Sequence, residues 1–196
     1  MAVDRIQCLR STNDILPQFE AVILDKDLRE LTKIPVAGMP SRARISSTGR
    51  IASWTVFVHG DSYLSVGFST RTTILNLQTG EIFNSIEAFS ISKDGKDYQS
   101  PDVNFWGVTV ANDDNSFYAT MSSNGQTYLV KGDLDDRSVT TIKQNVECPS
   151  LSPDGTRIIF KKRILSKNGS QPWRLHSLDL ERSESTRLNS SHQIIS

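Results

Sequence analysis

The sequence predicts an all-β fold, and three observations lead to that class. Hairpin patterns recur along the chain, each with two apolar or β-branched runs around a polar turn. A shorter unit, a tight turn followed by a strand, precedes each of the later hairpins. Two copies of that unit, with turns ending at Asp114 and Gly155, lie 41 residues apart. Four strands in about 40 residues is the period of a β-propeller blade, so we predict a β-propeller fragment.

The turn-and-strand unit is clearest at residues 151–160, LSPDGTRIIF. Pro153 fixes φ for the second position of a type I turn, Asp154 suits the third, and Gly155 supplies the left-handed conformation that follows. Comparable units with small or polar turn residues at matching offsets occur in ISSTGRIASW (45–54) and VANDDNSFYAT (110–120).

Hairpins are predicted at 19–36, 72–86, 127–142 and 173–188. The leucines of the first hairpin also have helical spacing, but the polar Asp25-Lys26-Asp27 between two β-rich runs favours a turn. The first and second turn units are separated by a longer interval, because it holds turn-rich additions at 59–71 and 90–102.

These units predict about three four-stranded blades and a partial N-terminal blade. The expected boundaries are a partial propeller over 1–180, divided into a partial blade at 1–40 and blades at 41–100, 101–145 and 146–180. Since a propeller needs about four to eight blades to close its ring, we expect open blade edges that permit self-association.

Composition excludes several partners. Lys plus Arg equals Asp plus Glu at 22 each, which argues against nucleic acid and against binding to an anionic membrane surface. No apolar run reaches the ~18 residues of a membrane span. Cys8 and Cys148 are too few for a disulfide framework; one bridge between them is an alternative to the favoured interpretation, two inert buried thiols.

The segment LSPDGTRIIFKKR, followed by WRLHSLDL, resembles the WD-like repeat of TolB-type β-propellers. Further segments such as GFSTRTTILNLQTGE and DVNFWGVTVANDDNSFYATM are similar to the TolB-like translocation proteins of actinobacteria, over roughly residues 3–180. The resemblance implies a non-catalytic scaffold that binds a protein or peptide, without a cofactor, in the cell envelope. The alternative is the accessory propeller of a hydrolase or peptidase whose catalytic domain is absent here.

The chain departs from this family at both ends. Members typically begin with a membrane-anchoring or signal segment and continue into at least one more blade. We therefore expect truncation at both termini. The ending RSESTRLNSSHQIIS does not follow the family pattern, so residues 181–196 are expected to be a non-native or disordered tail.

Five residues are candidates for partner binding. Phe105 and Trp106 form an aromatic pair beside a glycine, which indicates either a binding surface or, as the favoured alternative, a wedge between blades. Lys161, Lys162 and Arg163 form a compact basic run, which could contact an acidic partner but is more typical of a solvated strand end. Trp54 and Trp173 are expected in inter-blade packing.

No enzyme activity is predicted. His59, His176 and His192 fall in different units, which disfavours a metal site, and the sequence has neither a nucleophile elbow nor a phosphate loop. The pairs Asp113-Asp114 and Asp135-Asp136 fit turn capping better than calcium binding. A channel enzyme would need an acid–base pair beside inner-strand hydroxyls, for which Ser46, Thr109 and Ser150 are the candidates.

Overall fold

The computed structural model describes residues 5–12, 18–58, 69–164, 173–182 and 185–188, and these residues confirm an all-β protein. Their strands form four sheets. The first contains β1 (Arg5–Ser11), β2 (Phe19–Asp25) and β3 (Glu30–Val36), and the second β4 (Met39–Ile45), β5 (Ile51–Val58), β6 (Ser69–Asn76) and β7 (Ile82–Phe83). The third contains β10 (Asn104–Val110), β11 (Ser116–Ser123), β12 (Gln126–Asp133), β13 (Ser138–Gln144), β8 (Ser90–Lys93) and β9 (Lys96–Asp97). The fourth contains β14 (Glu147–Leu151), β15 (Arg157–Arg163), β16 (Trp173–Asp179) and β17 (Ser185–Arg187).

The three predicted turn units have the same backbone geometry. In the last of them the N–H of Gly155 donates to the carbonyl of Ser152 at 2.9 Å, and Gly155 has a φ of 73°. Gly49 and Asp114 occupy the matching positions with φ of 70° and 57°. The Ser152 hydroxyl and the Thr156 N–H lower the pKa of Asp154 to about 2, because both donate hydrogen bonds to its carboxylate.

Side chains of successive turn units also bond to each other. Ser47 Oγ donates to Asn112 Oδ1 at 2.5 Å, and Asn112 Nδ2 donates to the carbonyl of Pro153 at 3.2 Å. Thr48 and Arg50 both contact the carboxylate of Asp114. These bonds hold the second, third and fourth sheets together at the C-terminal ends of β4, β10 and β14, which the turn units follow.

Each sheet buries one face against the next sheet in the chain. Apolar side chains of the first sheet, including Ala21 and Ile23, pack on Trp54 of the second sheet, and Trp54 thus has its predicted packing role. A larger core lies between the second and third sheets, and Ile158 and Phe160 pack the fourth sheet on the third. One edge strand of each sheet lies in a row of neighbouring strands, in the order β1, β4, β10 and β14. We call these four the inner strands.

The third sheet differs from the expected division into blades. Residues 90–97, which the prediction placed in the blade at 41–100, form the hairpin of β8 and β9, and β8 pairs in parallel with β13. Lys93 secures this hairpin, since its Nζ donates to the Tyr128 hydroxyl at 2.9 Å and lies over the Tyr128 ring. The added hairpin covers an edge strand that would otherwise expose unpaired backbone groups.

The structure also differs from the expected tail. Residues 185–187 pair with β16 as β17, so this part of the predicted non-native or disordered tail completes a four-stranded sheet. Residues 183–184 and 189–196 lie outside the described residues.

Trp173, predicted in inter-blade packing, lies on the face of the fourth sheet directed away from the third. Its neighbours on that face are Lys161 and Arg163, whose cationic groups each lie 4.9 Å from the indole centre. Ile158 and Phe160 point to the opposite, packed face, because side chains alternate along β15.

A glycine determines how the largest core is filled. Gly132 on β12 pairs with Phe117 on β11, and a Cβ at Gly132 would lie only 2.0 Å from Cζ of the Phe117 ring. The ring is fully buried and packs edge-on against Phe89 at 6.3 Å between ring centres. Position 132 therefore admits no side chain while Phe117 keeps this rotamer.

Gly132→Ala is expected to lower the free energy of unfolding by about 1–3 kcal/mol, as overpacking of a filled core does. Urea denaturation measures this change, and Thr140→Ala at an exposed position of β13 is the control with little effect. Adding Phe117→Leu removes the clashing ring, so the double variant should lose less than the sum of the two single losses. If the loss in the double variant equals the sum of the two single losses, the proposed clash is contradicted.

His176 is a titratable group in the packing between the third and fourth sheets. Its ring stacks against Phe160 at 5.7 Å between ring centres, and neither ring nitrogen has a hydrogen-bond partner among the described residues. Desolvation lowers the pKa of His176, and the positive charges of Lys162, Arg187 and Lys143 lower it further.

Acid should therefore destabilise the fold through His176. The ordinary pKa of histidine is about 6.5, so the unfolded chain binds the proton before the folded chain does as the pH falls. We expect the free energy of unfolding of the wild type to fall relative to that of His176→Phe between about pH 8 and about pH 5.5. A difference between the two proteins that stays constant over this range would show that His176 titrates normally.

Candidate functional site

The candidate site is a cleft among the inner strands of the second, third and fourth sheets, which we call the inner cleft. Its larger part has a volume of about 310 Å³, and a smaller part of about 150 Å³ adjoins it. Ser41, Arg42 and Thr55 line both parts. The larger part is completed by residues that include Arg44, Gly107 and Cys148, and the smaller part by residues that include Trp106 and Glu147.

A β-bulge in each of β4, β10 and β14 shapes the inner cleft. The register shifts lie between Pro40 and Arg42, between Trp106 and Thr109, and between Glu147 and Ser150, and the last two stand at the same offset from their turns. A bulge bends its strand and redirects the side chains beside it, which interrupts the regular alternation of the inner strands.

Two of the bulges fit closely against each other. Gly107 and Cys148 both have left-handed φ, at 68° and 51°. A Cβ at Gly107 would make ordinary contacts, at 3.4 Å from Cα of Cys148 and 3.5 Å from Cδ of Pro149, so the positive φ and not the approach of β14 favours glycine here. Thr120 Oγ1 accepts the Cys148 N–H at 3.0 Å and so stabilises the bulge of β14.

Two arginines give the inner cleft its positive charge. Arg44 donates from Nη1 to Ser150 Oγ at 3.3 Å, which links β4 to β14. The guanidinium remains in contact with solvent, but the surrounding protein partly desolvates it and lowers the pKa of Arg44. Within the described ranges neither Arg44 nor Arg42 forms an ion pair with a carboxylate.

The smaller part of the inner cleft is held in place by buried polar contacts. The Thr70 N–H donates to Asn104 Oδ1 at 2.6 Å, and Thr70 Oγ1 accepts the Phe105 N–H at 3.1 Å, which ties β6 to the start of β10. Thr70 Oγ1 also donates to Glu87 Oε1 at 3.2 Å. Desolvation raises the pKa of Glu87, although the Thr72 N–H and neighbouring hydroxyls oppose this shift.

The predicted aromatic pair divides into two roles. Phe105 is fully buried in the core between the second and third sheets, so its side chain offers no surface to a partner. Trp106, the next residue on β10, points the other way and is half-buried in the smaller part of the inner cleft. Partner binding by Trp106 stays a prediction, and the alternative of a wedge between sheets is also compatible with this position.

The predicted basic run lies on β15, apart from the inner cleft. Lys161 and Arg163 flank Trp173 on one face, and Lys162 points to the other face, near His176. The cation–π contacts give Lys161 and Arg163 a local packing role. Their proposed role in partner binding is untested.

The inner-strand hydroxyls are engaged in structural contacts. Ser46 Oγ accepts the Ile51 N–H at 3.0 Å, and Thr109 Oγ1 accepts the Leu151 N–H at 3.3 Å. Together with Ser150, these hydroxyls bond to no histidine or carboxylate among the residues that the structure describes.

The aspartate pairs behave as turn residues. Asp113 Oδ1 accepts the N–H groups of Asn115 and Ser116 at 3.0 Å and 2.8 Å, and Asp133 Oδ1 accepts the Asp136 N–H at 3.0 Å. In the described part of the chain, no group of three or more His, Cys, Asp or Glu side chains could hold a metal ion. His59 and His192 lie outside that part.

Both cysteines are free thiols, so the alternative of a bridge is not realised. Cys148 is half-buried in the inner cleft, so it matches the predicted buried thiol only in part. Cys8 is instead exposed, because β1 turns it to the outer face of the first sheet.

Sequence reasoning missed Arg42 and Arg44. Both lie in the segment PSRARIS, and Arg44 stands at the same offset from its turn as Thr109 and Ser150, two candidates for channel-lining positions. An alignment of the three turn units on their turns places Arg44 at the position of these two hydroxyl residues and is the signal that could have found it.

The only helix among the described residues is the single 3₁₀ turn Ile86–Ala88, and no helix of this part of the chain has the length and apolar character to cross a membrane.

No protein-family model matches the chain, and no curated protein matches it. Solved structures do resemble it. TolB from Acinetobacter baumannii is 17% identical with a TM-score of 0.61, over 96% of this chain and 42% of the TolB chain. The β-propeller domain of the Trilobed protease from Pyrococcus furiosus is 10% identical with a TM-score of 0.60, over 96% of this chain and 55% of that chain.

A puromycin-hydrolysing peptidase from Mycobacterium tuberculosis is also similar, at 14% identity and a TM-score of 0.60, over 96% of this chain and 30% of that chain. At such identities the likeness concerns the fold alone. The chain spans 42% of the length of the Acinetobacter protein. The predicted β-propeller architecture is thereby confirmed, and the fold is similar to that of TolB.

Proposed function

We propose that this chain is part of a non-catalytic β-propeller scaffold that binds a protein or peptide through the inner cleft. The observation that carries this proposal is the inner cleft itself, where an indole, several hydroxyls and two arginines converge, and neither arginine has a carboxylate partner in the described part of the chain. Concave sites with a few convergent polar groups are typical ligand sites. The similarity of the fold to that of TolB also supports a scaffold.

A location in the cell envelope for the full-length protein belongs to the same proposal. It rests on the resemblance to TolB-like translocation proteins carried by segments such as LSPDGTRIIFKKR.

The second candidate is the accessory propeller of a hydrolase. It is favoured by the similarity to the propeller domain of a protease and to a puromycin-hydrolysing peptidase. The complete gene discriminates the two, since a nucleophile elbow beyond this chain favours the hydrolase and a membrane anchor without a further domain favours the scaffold.

Self-association through the open sheet faces is a further part of the proposal. The outer face of the first sheet exposes Ile6 and that of the fourth exposes Leu175, at 43% and 52%. On the first face Glu20 and Glu30 are already paired with Arg10 and Lys33, so the argument rests on the exposed apolar side chains and not on charge. A second copy of this chain is the occupant that would cover both apolar faces.

Partner capture from an envelope extract tests the binding site. We expect Trp106→Ala to reduce recovery of the bound protein at least several-fold relative to wild type, because interface tryptophans contribute strongly to binding. A variant with alanine at 161, 162 and 163 tests the basic run in parallel, and thermal melts show that both variants fold. Undiminished recovery of every partner by both variants would contradict the two candidate surfaces.

Sedimentation equilibrium tests the open faces. Wild type is expected to show concentration-dependent mass, and Leu175→Asp should shift it towards the monomer, because the exposed apolar contact is replaced by a charge. Lys96→Asp, on the β8–β9 hairpin, is the control at an exposed position away from both faces. A purely monomeric wild type with one sharp, concentration-independent melt would count against self-association.

A further inference from the structure

We propose that the inner cleft recognises a carboxylate group on a peptide. Arg44 is the main residue that contacts the carboxylate, and Arg42 lies beside it. The carboxylate is either an acidic side chain or a peptide C-terminus. This inference rests on the proposed function, because it specifies the chemistry of the partner bound in the same cleft.

Unbalanced charge is the first argument. Arg44 and Arg42 are both exposed to solvent in the cleft, and no carboxylate pairs with either of them among the described residues. A planar guanidinium without a counter-charge can donate two parallel hydrogen bonds to an incoming carboxylate. Arg10, by comparison, already forms ion pairs with two carboxylates, with Glu20 at 3.0 Å and with Glu30 at 2.9 Å.

The neighbouring hydroxyls supply the second argument. Ser150 Oγ accepts a hydrogen bond from Arg44, which leaves its own O–H able to donate to an incoming oxygen. Ser53 is already committed, since its hydroxyl donates to the Arg44 carbonyl at 3.2 Å and helps to fix that residue. Arg44 on β4 and Ser150 on β14, the two inner strands that flank β10, can thus donate to the same incoming oxygen.

Charge and size favour a single carboxylate over a polyanion. Glu147 lines the smaller part of the inner cleft and would repel the continuous negative charge of a nucleic acid. The larger part has a volume of about 310 Å³, which is near the lower limit for sites that bind small ligands. This volume suits one or two side chains of a bound peptide. The whole chain has no net charge and thus lacks the basic footprint of a nucleic-acid-binding protein.

Cys148 provides a reporter inside the cleft. In a Cys8→Ser background it is the single thiol, and its alkylation can be compared for iodoacetate, an anion, and iodoacetamide, its neutral analogue. We expect Arg44→Gln to lower the iodoacetate-to-iodoacetamide rate ratio about three- to tenfold, because the charge that attracts the anion is removed. The matched control is Arg29→Gln in the β2–β3 turn, which should leave the ratio unchanged. An unchanged ratio in Arg44→Gln, or a thiol that neither reagent reaches, would overturn the proposal.

Three N-acetylated peptides then identify the source of the carboxylate. Gly-Ser-Asp-Ser-Gly amide carries a side-chain carboxylate, Gly-Ser-Asn-Ser-Gly acid carries a terminal carboxylate, and Gly-Ser-Asn-Ser-Gly amide carries neither. At least one charged peptide should slow iodoacetamide alkylation several-fold in the Cys8→Ser protein and not in its Arg44→Gln derivative. Equal protection by the neutral peptide, protection by none, or stronger protection by an oligothymidylate would each overturn carboxylate recognition.

The failures of this inference and of the proposed function are distinguishable. A captured partner that is retained by Arg44→Gln but lost by Trp106→Ala would leave the scaffold function standing and overturn the role of Arg44. Arg44-dependent peptide protection without any partner in the envelope extract would support the carboxylate site and contradict the scaffold function.

Discussion

Face-to-face packing of successive sheets is the constraint on which the rest of this structure depends. A three- or four-stranded sheet cannot bury enough apolar surface alone, so each sheet contributes one face to a core shared with its neighbour. The largest core lies between the second and third sheets and is filled by rings such as Phe117, which lies directly over Gly132. This packing sets the distance between neighbouring inner strands and therefore the width of the inner cleft.

Polar contacts fix those parts of the geometry between the sheets that apolar packing does not determine. Buried threonines bridge the second sheet to β10: Thr72 Oγ1 donates to the carbonyl of Phe105 at 2.6 Å and shares a hydrogen bond with Thr55. At one end of the inner strands, the turn units bond to each other through Asn112 and Asp114. Between these two sets of bonds, the bulges of β4, β10 and β14 direct side chains into the inner cleft. Inter-sheet geometry and the candidate site thus have a common physical origin.

Much of the fold could be predicted because its information is local. Pro153 and Gly155 specify a turn from their own backbone preferences, and the spacing of such turns indicates propeller blades. The place of the hairpin at 90–97 could not be predicted, because its parallel pairing with β13 joins segments distant in sequence. The exposure of Cys8 was missed for a related reason, since strand alternation alone does not reveal which face of β1 is covered.

The candidate site was predictable only in part. Trp106 attracted attention by its residue type, and the structure places it in the inner cleft, whereas the adjacent Phe105 faces the core. Nothing in the sequence distinguishes Arg44 from an ordinary surface arginine, because its contact with Ser150 depends on two inner strands from different sheets. Sites assembled across repeats appear in sequence only when equivalent positions of the repeats are compared.

The central claim is that the arginines of the inner cleft contact the ligand, and side-chain NMR measures this most directly. In a ¹⁵N-labelled sample, the Nε–Hε signals of Arg44 and Arg42 report on each guanidinium separately. Titration with the carboxylate-bearing acetyl peptides should shift these two signals with saturation while those of Arg29 and Arg157 stay in place. Uniform small shifts of all arginine signals, or saturable shifts confined to Arg163 beside Trp173, would contradict it.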